Sequence, residues 1–207
     1  MAIQIRSVAE PFDSADPDAS REGIEALLLA EAMGLLGEEG VERLDLAAIR
    51  RVAQGASEAG IGALPTAALA ARSLTPHDLH AALRTLREAL EDSPAPAQEW
   101  AALVPLFGVE DLARLVTVSP ASLRRYASRS RPTPDTVAAR LHFLARVVAE
   151  LKGAYNEIGV RRWFQRKRTA LRGKSPAQIL NGDWGPEDRG PGRVLDLARS
   201  LASSPAT

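Results

Sequence analysis

The sequence predicts an all-α fold, made of an N-terminal helical region, a helix-turn-helix and a small C-terminal helical domain. Apolar residues recur at steps of three and four along most of the chain, the period of one helix face. The alternation of β-branched and polar residues that marks a half-buried strand is scarce. Pairs such as Thr75-Pro76 and Ser119-Pro120 put an N-cap and a first-turn proline in front of apolar stripes. At 207 residues, with 45% apolar and 25% charged side chains, the chain has ordinary globular composition and room for one large domain or two small ones.

Residues 1–20 include "EPFDSADPDAS", rich in Pro, Asp and Ser with no apolar stripe, which predicts a flexible arm. An acidic helical region of unassigned role follows over 21–92. Its first helix takes Ser20 as N-cap and places Ile24, Leu27, Leu28, Ala32, Leu35 and Leu36 at helical spacing before Gly37 and Gly40. Leu46, Ile49, Val52, Ala53 and Ala56 form a second stripe, halted by "GIGALP". A third helix starts at Thr75 and Pro76, with Leu79, Leu83, Leu86 and Leu90 on one side. "DSPAPAQ" then reads as an extended linker and a domain boundary.

A helix-turn-helix region is expected over 99–152, opening on a helix with Trp100, Leu103, Val104 and Phe107. Leu112, Ala113 and Val116 face inward on the first short helix, and Val118 plugs the turn. Ser119 caps the second short helix, Pro120 is its first residue, and Leu123 is buried. A long helix from Asp135 to about Leu151 supports the pair through Val137, Leu141, Leu144, Val148 and Leu151, and His142 beside that seam reads as a packing residue. In a DNA-reading helix-turn-helix the start of the second helix enters the major groove. Ser119, Ala121, Ser122, Arg124 and Arg125 become the base-edge or phosphate candidates, with Arg129 and Arg131 holding phosphates from the following loop. Tyr126 is expected in the core or at its rim.

Charge is segregated although the net is zero. Residues 1–109 hold 8 bases and 17 acids (−9), 110–175 hold 15 and 5 (+10), and 176–207 hold 3 and 4 (−1). The middle third is suited to a polyanion, or to the acidic half folding back on it. With no cysteine there is no disulfide or thiolate metal site, no apolar run is long enough to span a bilayer, and "MAIQIRSVAE" lacks a secretory pattern. The expectation is a cytoplasmic protein with no membrane partner. His77 and His80 in "TPHDLH" have no third ligand nearby and read as a solvated or capping pair, so no metal is expected. No phosphate loop, nucleophile elbow or carboxylate pair stands out, which predicts neither enzymatic activity nor a cofactor.

The second half resembles the Xre/MbcA/ParS antitoxin family. The likeness is carried by "LARLVTVSPASLRRYASRSRPTPDTVAARLHFLARVVAEL", by Trp163 and Phe164, by Leu171 and Gly173 before a turn, by "SPAQIL" and by "GRVLDLARSL". It covers roughly residues 100 to 201. It implies a toxin-binding domain over 153–207 and a homodimeric type II antitoxin that binds double-stranded operator DNA and neutralises a RES-type, NAD-consuming toxin. The toxin-facing residues it suggests are Trp163, Arg166, Arg168, Arg172, Ser175, Pro176, Trp184, Leu201 and Ser204. Two departures stand out: "QRKRTA" continues the tryptophan helix where the family turns, and "NGDWGPEDRGPG" is a longer link before the last helix. The rivals are a stand-alone helix-turn-helix regulator without a toxin, and an adaptor in which the acidic and basic parts cancel.

Gly159 to Leu180 is basic and free of acids. Read as one helix, Val160, Trp163, Phe164, Ala170 and Leu171 share a face with Lys167, while Arg161, Arg162, Gln165, Arg166, Arg168 and Arg172 take the other. The aromatics then turn away from the charge, which disfavours base stacking. That leaves a basic side for a toxin, the acidic half or DNA phosphates. Trp184, in a loop too glycine-rich for a helix, either plugs the domain or faces a partner.

Overall fold

A computed structural model describes residues 3, 5–12, 17–37, 40–71 and 74–202. The described residues are mainly helical, and the chain divides into two compact units, Met1–Ser93 and Pro94–Thr207.

The first unit runs β1 (Ser7–Val8), α1 (Pro17–Ala32), β2 (Arg43–Leu44), α2 (Leu46–Glu58), α3 (Ala63–Leu69) and α4 (Pro76–Asp92). The flexible-arm expectation is corrected here. β1 lies parallel to β2 with Ser7 opposite Arg43, and Arg6 N–H and Ala9 N–H donate to the carbonyls of Glu42 and Leu44 at 2.8 and 2.9 Å. Phe12 is buried, in space that Gly23 leaves open: a Cβ there would meet Leu44, Phe12 and Ile49 within 3.2–3.5 Å. Ser20 lies inside α1, and its hydroxyl donates to the Phe12 carbonyl instead of capping the helix.

Asp45 caps α2 by accepting from Ala48 N–H at 2.8 Å, and Ile49, Val52, Ala53 and Ala56 are buried as their spacing predicts. "GIGALP" follows the end of α2 at Glu58, as expected, and also leads into a further helix that the spacing did not predict. It opens α3, because N–H groups in a first helical turn have no intrahelical acceptor and Pro65 loses nothing there. Thr66 Oγ1 donates to the Ala53 carbonyl at 3.0 Å and Arg50 Nε to that of Leu69 at 2.8 Å, fastening α3 to α2. α4 begins at the expected cap, with Thr75 Oγ1 accepting from Asp78 N–H at 3.2 Å. It meets α1 through Arg87, which donates to Glu22 at 2.6 Å and to Glu91 at 2.5 Å. Burial opposes the Arg87 cation, but its carboxylate hydrogen bonds outweigh that and hold its pKa above the ordinary arginine value.

The second unit runs α5 (Pro96–Phe107), α6 (Val109–Leu115), α7 (Pro120–Ala127), α8 (Asp135–Lys152), α9 (Glu157–Gln165), a 3-10 turn (Thr169–Leu171), α10 (Pro176–Ile179) and α11 (Arg189–Ala202). The expected linker shrinks to 93–95, since Pro96 serves as the first residue of α5. α8 is the central strut. The predicted seam of Val137, Leu141, Leu144, Val148 and Leu151 is buried, and so are Phe143, Ala145 and Val147 on its other sides, because α5, α9 and α11 all pack on it. A helix buried on several faces cannot divide domains, so the expected split into 99–152 and 153–207 gives way to one compact unit.

Candidate nucleic-acid interface

α6 buries Leu112, Ala113 and Leu115, and the chain then turns through Val116–Ser119. Val116 is fully buried and Val118 only half, so the plug expected at Val118 falls two residues earlier. The turn needs a left-handed residue, and Thr117 supplies it at φ 61° although it is β-branched. Its hydroxyl donates to the Gly182 carbonyl at 2.6 Å, which ties the turn to the loop before α11.

Ser119 accepts from Ser122 N–H at 3.1 Å and Pro120 takes the first helical position, so α7 starts where the sequence predicts. Leu123 and Tyr126 are buried. Tyr126 stacks against Trp100 with ring centroids 6.3 Å apart, and Trp100 Nε1 donates to Thr133 Oγ1 at 3.0 Å. With that face anchored, Ala121, Arg124 and Arg125 are exposed and Ser122 is half-buried. Arg124 donates to Glu110 at 3.2 Å, an exposed pair weak enough to exchange for a phosphate. No ion pair is found for Arg125 or Arg129 among the described residues. Arg129 holds a left-handed turn at φ 59°, and the Arg131 guanidinium lies 5.7 Å from the Tyr126 ring centre.

Four of the suggested toxin-facing residues are interior, which corrects that part of the expectation. Trp163 is 1% exposed and meets Phe164 edge-on at 5.3 Å, and Phe164 in turn meets Phe107 at 5.0 Å. Ser175 is buried in a reciprocal cap, accepting from Gln178 N–H at 3.2 Å while its own N–H donates to Gln178 Oε1 at 2.9 Å, and Pro176 beside it is buried. Trp184, 5% exposed, plugs the unit: its Nε1 donates to the Leu115 carbonyl at 3.1 Å, ending α6, and its ring meets Phe143 at 5.3 Å. Arg140 clamps the same loop, donating to the Trp184 carbonyl at 2.6 Å and to Asp183 at 2.7 Å. Sequence reasoning did not find Arg140 or Thr117, whose partners lie more than forty residues away.

Arg166 and Arg172 are exposed, Arg168 is half-buried with its guanidinium 5.6 Å from the Trp163 ring centre, and Leu201 is half-buried on α11. Ser204 lies outside the described residues. α9 stops at Gln165, so "QRKRTA" does not continue it. Arg168 N–H donates to the Lys174 carbonyl and Gly173 N–H to the Arg168 carbonyl, each at 3.0 Å, closing a loop that returns Leu171 to the core. Lys167, which fitted poorly on a single helix, sits exposed in this loop.

His77 is exposed and His80 half-buried on α4, and among the described residues no group of three His, Asp or Glu side chains is arranged to hold a metal. No described helix is long and apolar enough to cross a membrane. In comparisons with known proteins, no family model, no curated protein and no solved structure matches the chain.

Proposed function

We propose that the chain is a helix-turn-helix DNA-binding protein that works as an antitoxin, repressing its own operon and neutralising a RES-type toxin. The observation that carries the DNA-binding part is α7: Leu123 and Tyr126 lock one face into the core, and Ala121, Arg124 and Arg125 stand on the other. A short capped helix held in this way offers small and guanidinium side chains to base edges, and Arg is the commonest reader of guanine. Binding as a homodimer sets two such helices about one duplex turn, roughly 34 Å, apart. The antitoxin part rests on the family resemblance over residues 100 to 201.

The burial of Trp163, Ser175, Pro176 and Trp184 favours a second reading, a stand-alone regulator, because it removes four of the residues suggested for a toxin. Binding to DNA upstream of the gene, measured with Arg125→Gln and Arg129→Gln, tests the first part. Each substitution is expected to weaken binding about 5- to 150-fold, by about 1–3 kcal/mol, if it removes a bidentate base contact, and less for a lone phosphate contact. Unchanged binding in both variants would refute the role of α7. Coexpression with a neighbouring RES-type protein separates the two readings: copurification and rescued growth favour the antitoxin, and neither result leaves only the regulator.

A further inference from the structure

The second unit carries another strongly charged surface that α7 does not use. Residues 158–182 contain Arg161, Arg162, Arg166, Lys167, Arg168, Arg172 and Lys174 and no acid. Arg161 donates to the Leu106 carbonyl at 3.0 Å and Arg168 covers Trp163. Arg162, Arg166, Lys167, Arg172 and Lys174 are exposed, and no ion pair is found for them among the described residues. Several exposed arginines lean on acids, as Arg21 does on Asp18, Arg84 on Glu88 and Arg114 on Asp111. Like charges gathered without counter-charge repel one another, a cost that binding a polyanion relieves.

The burial pattern identifies the polyanion. A protein interface is anchored by apolar and aromatic side chains at its centre. Here Val160, Trp163, Phe164, Leu171, Pro176 and Leu180 are all turned into the unit's own core, and Ile158, the exposed apolar residue nearby, sits in the first turn of α9 ahead of the basic loop. Single-stranded nucleic acid is held by exposed aromatic platforms, and the Trp163 and Phe164 rings are buried. What remains, with Ile158 one turn before Arg162 and Ala170 in the loop as its exposed apolar side chains, is a cation-rich surface of the kind that contacts duplex phosphates without reading bases.

We infer that the loop from Arg166 to Lys174, with Arg162 behind it, is a second, sequence-independent contact to duplex DNA phosphates, extending the footprint of the helix-turn-helix. The inference rests on the DNA-binding reading, and its test separates the two. Affinity of the full chain for a random-sequence duplex is measured between about 50 and 200 mM salt, where each phosphate contact contributes about 0.9 to the log–log slope. The variant Arg166→Gln/Lys167→Gln/Arg172→Asn/Lys174→Gln is expected to lower the slope by about 2 to 3 and the affinity by about ten-fold or more. The charge-preserving Arg166→Lys/Arg172→Lys keeps the slope, which separates lost charge from lost folding.

A wild-type slope in the neutralised variant overturns the inference and leaves α7 untouched. Loss of slope in that variant, with Arg125→Gln/Arg129→Gln binding normally, supports the loop and refutes α7. A wild-type chain that binds no duplex overturns both. A chain that binds polyglutamate through these cations more tightly than duplex also overturns the inference, since the partner is then an acidic protein.

Discussion

Trp184 is the side chain on which the arrangement of the second unit turns most visibly. Its indole N–H ends α6 at the Leu115 carbonyl, its ring meets Phe143, and its own carbonyl is held by Arg140. Trp184→Ala removes that contact set and leaves a cavity, so a loss of about 3–5 kcal/mol in urea unfolding is expected. Trp184→Phe keeps the ring contact and loses the hydrogen bond, a loss of about 1 kcal/mol. A second interior pair joins α5 to α8: His142 Nδ1 and Glu99 Oε1 share a hydrogen bond of 2.6 Å, and Glu99 is 0% exposed. Removing one partner strands the other in the core. His142→Leu is expected to cost about 3–5 kcal/mol, and the double variant Glu99→Leu/His142→Leu to recover most of it. A double-mutant cycle by denaturation measures both, and simple additivity would show that the pair is not coupled.

At the scale of elements, what was legible in the sequence was whatever local chemistry dictates. Thr75-Pro76 and Ser119-Pro120 start helices where their caps predict, and the α8 seam is buried residue for residue, because caps and period act over a few neighbours. Two features depended on contacts outside the local period and were misread: Phe12 looked like part of an arm yet fills the gap at Gly23, and "QRKRTA" looked helical yet closes a loop on Lys174. Trp184, open between core plug and partner contact, plugs the core. Of the candidate interface, the α7 residues were readable because capping and burial are local. The anchors of that helix, Trp100 behind Tyr126 and Gly182 behind Thr117, were not.

Two tests belong at this scale. A Cβ at Gly55 would fall almost on the Leu35 carbonyl oxygen, so Gly55→Ala must push α2 from that backbone, and a loss of several kcal/mol in thermal unfolding is expected. At the start of α4, the Thr75 hydroxyl donates to Asp78 Oδ2 at 2.6 Å and holds that carboxyl below its ordinary value of 3.8. A depressed carboxylate pKa stabilises the fold above the unfolded value and loses that contribution as pH falls through the folded one. The window therefore lies at and below about pH 4. Thr75→Ala is expected to move the Asp78 titration upward, as followed by NMR, and an unmoved titration would show that the cap does not set it.

At the scale of the whole molecule, charge and fold divide the chain in the same way. The acidic first half is a unit of its own, with Arg87 tied among Glu22, Glu25 and Glu91, while the cations without ion pairs around α7 and in the loop after α9 belong to the second unit. That unit has its own core along α8, so residues 94–207 expressed alone are expected to keep a helical circular dichroism spectrum and a cooperative melt. A non-cooperative melt would mean that the acidic unit is needed to complete the fold. The proposed role in DNA binding comes down to whether the exposed start of α7 meets the duplex. Amide shift mapping of the full chain, titrated with DNA from upstream of its gene, measures that directly. Saturable shifts concentrated at Ala121, Ser122, Arg125 and Arg129 are the expected result, and unmoved amides there, whatever shifts elsewhere, would contradict it.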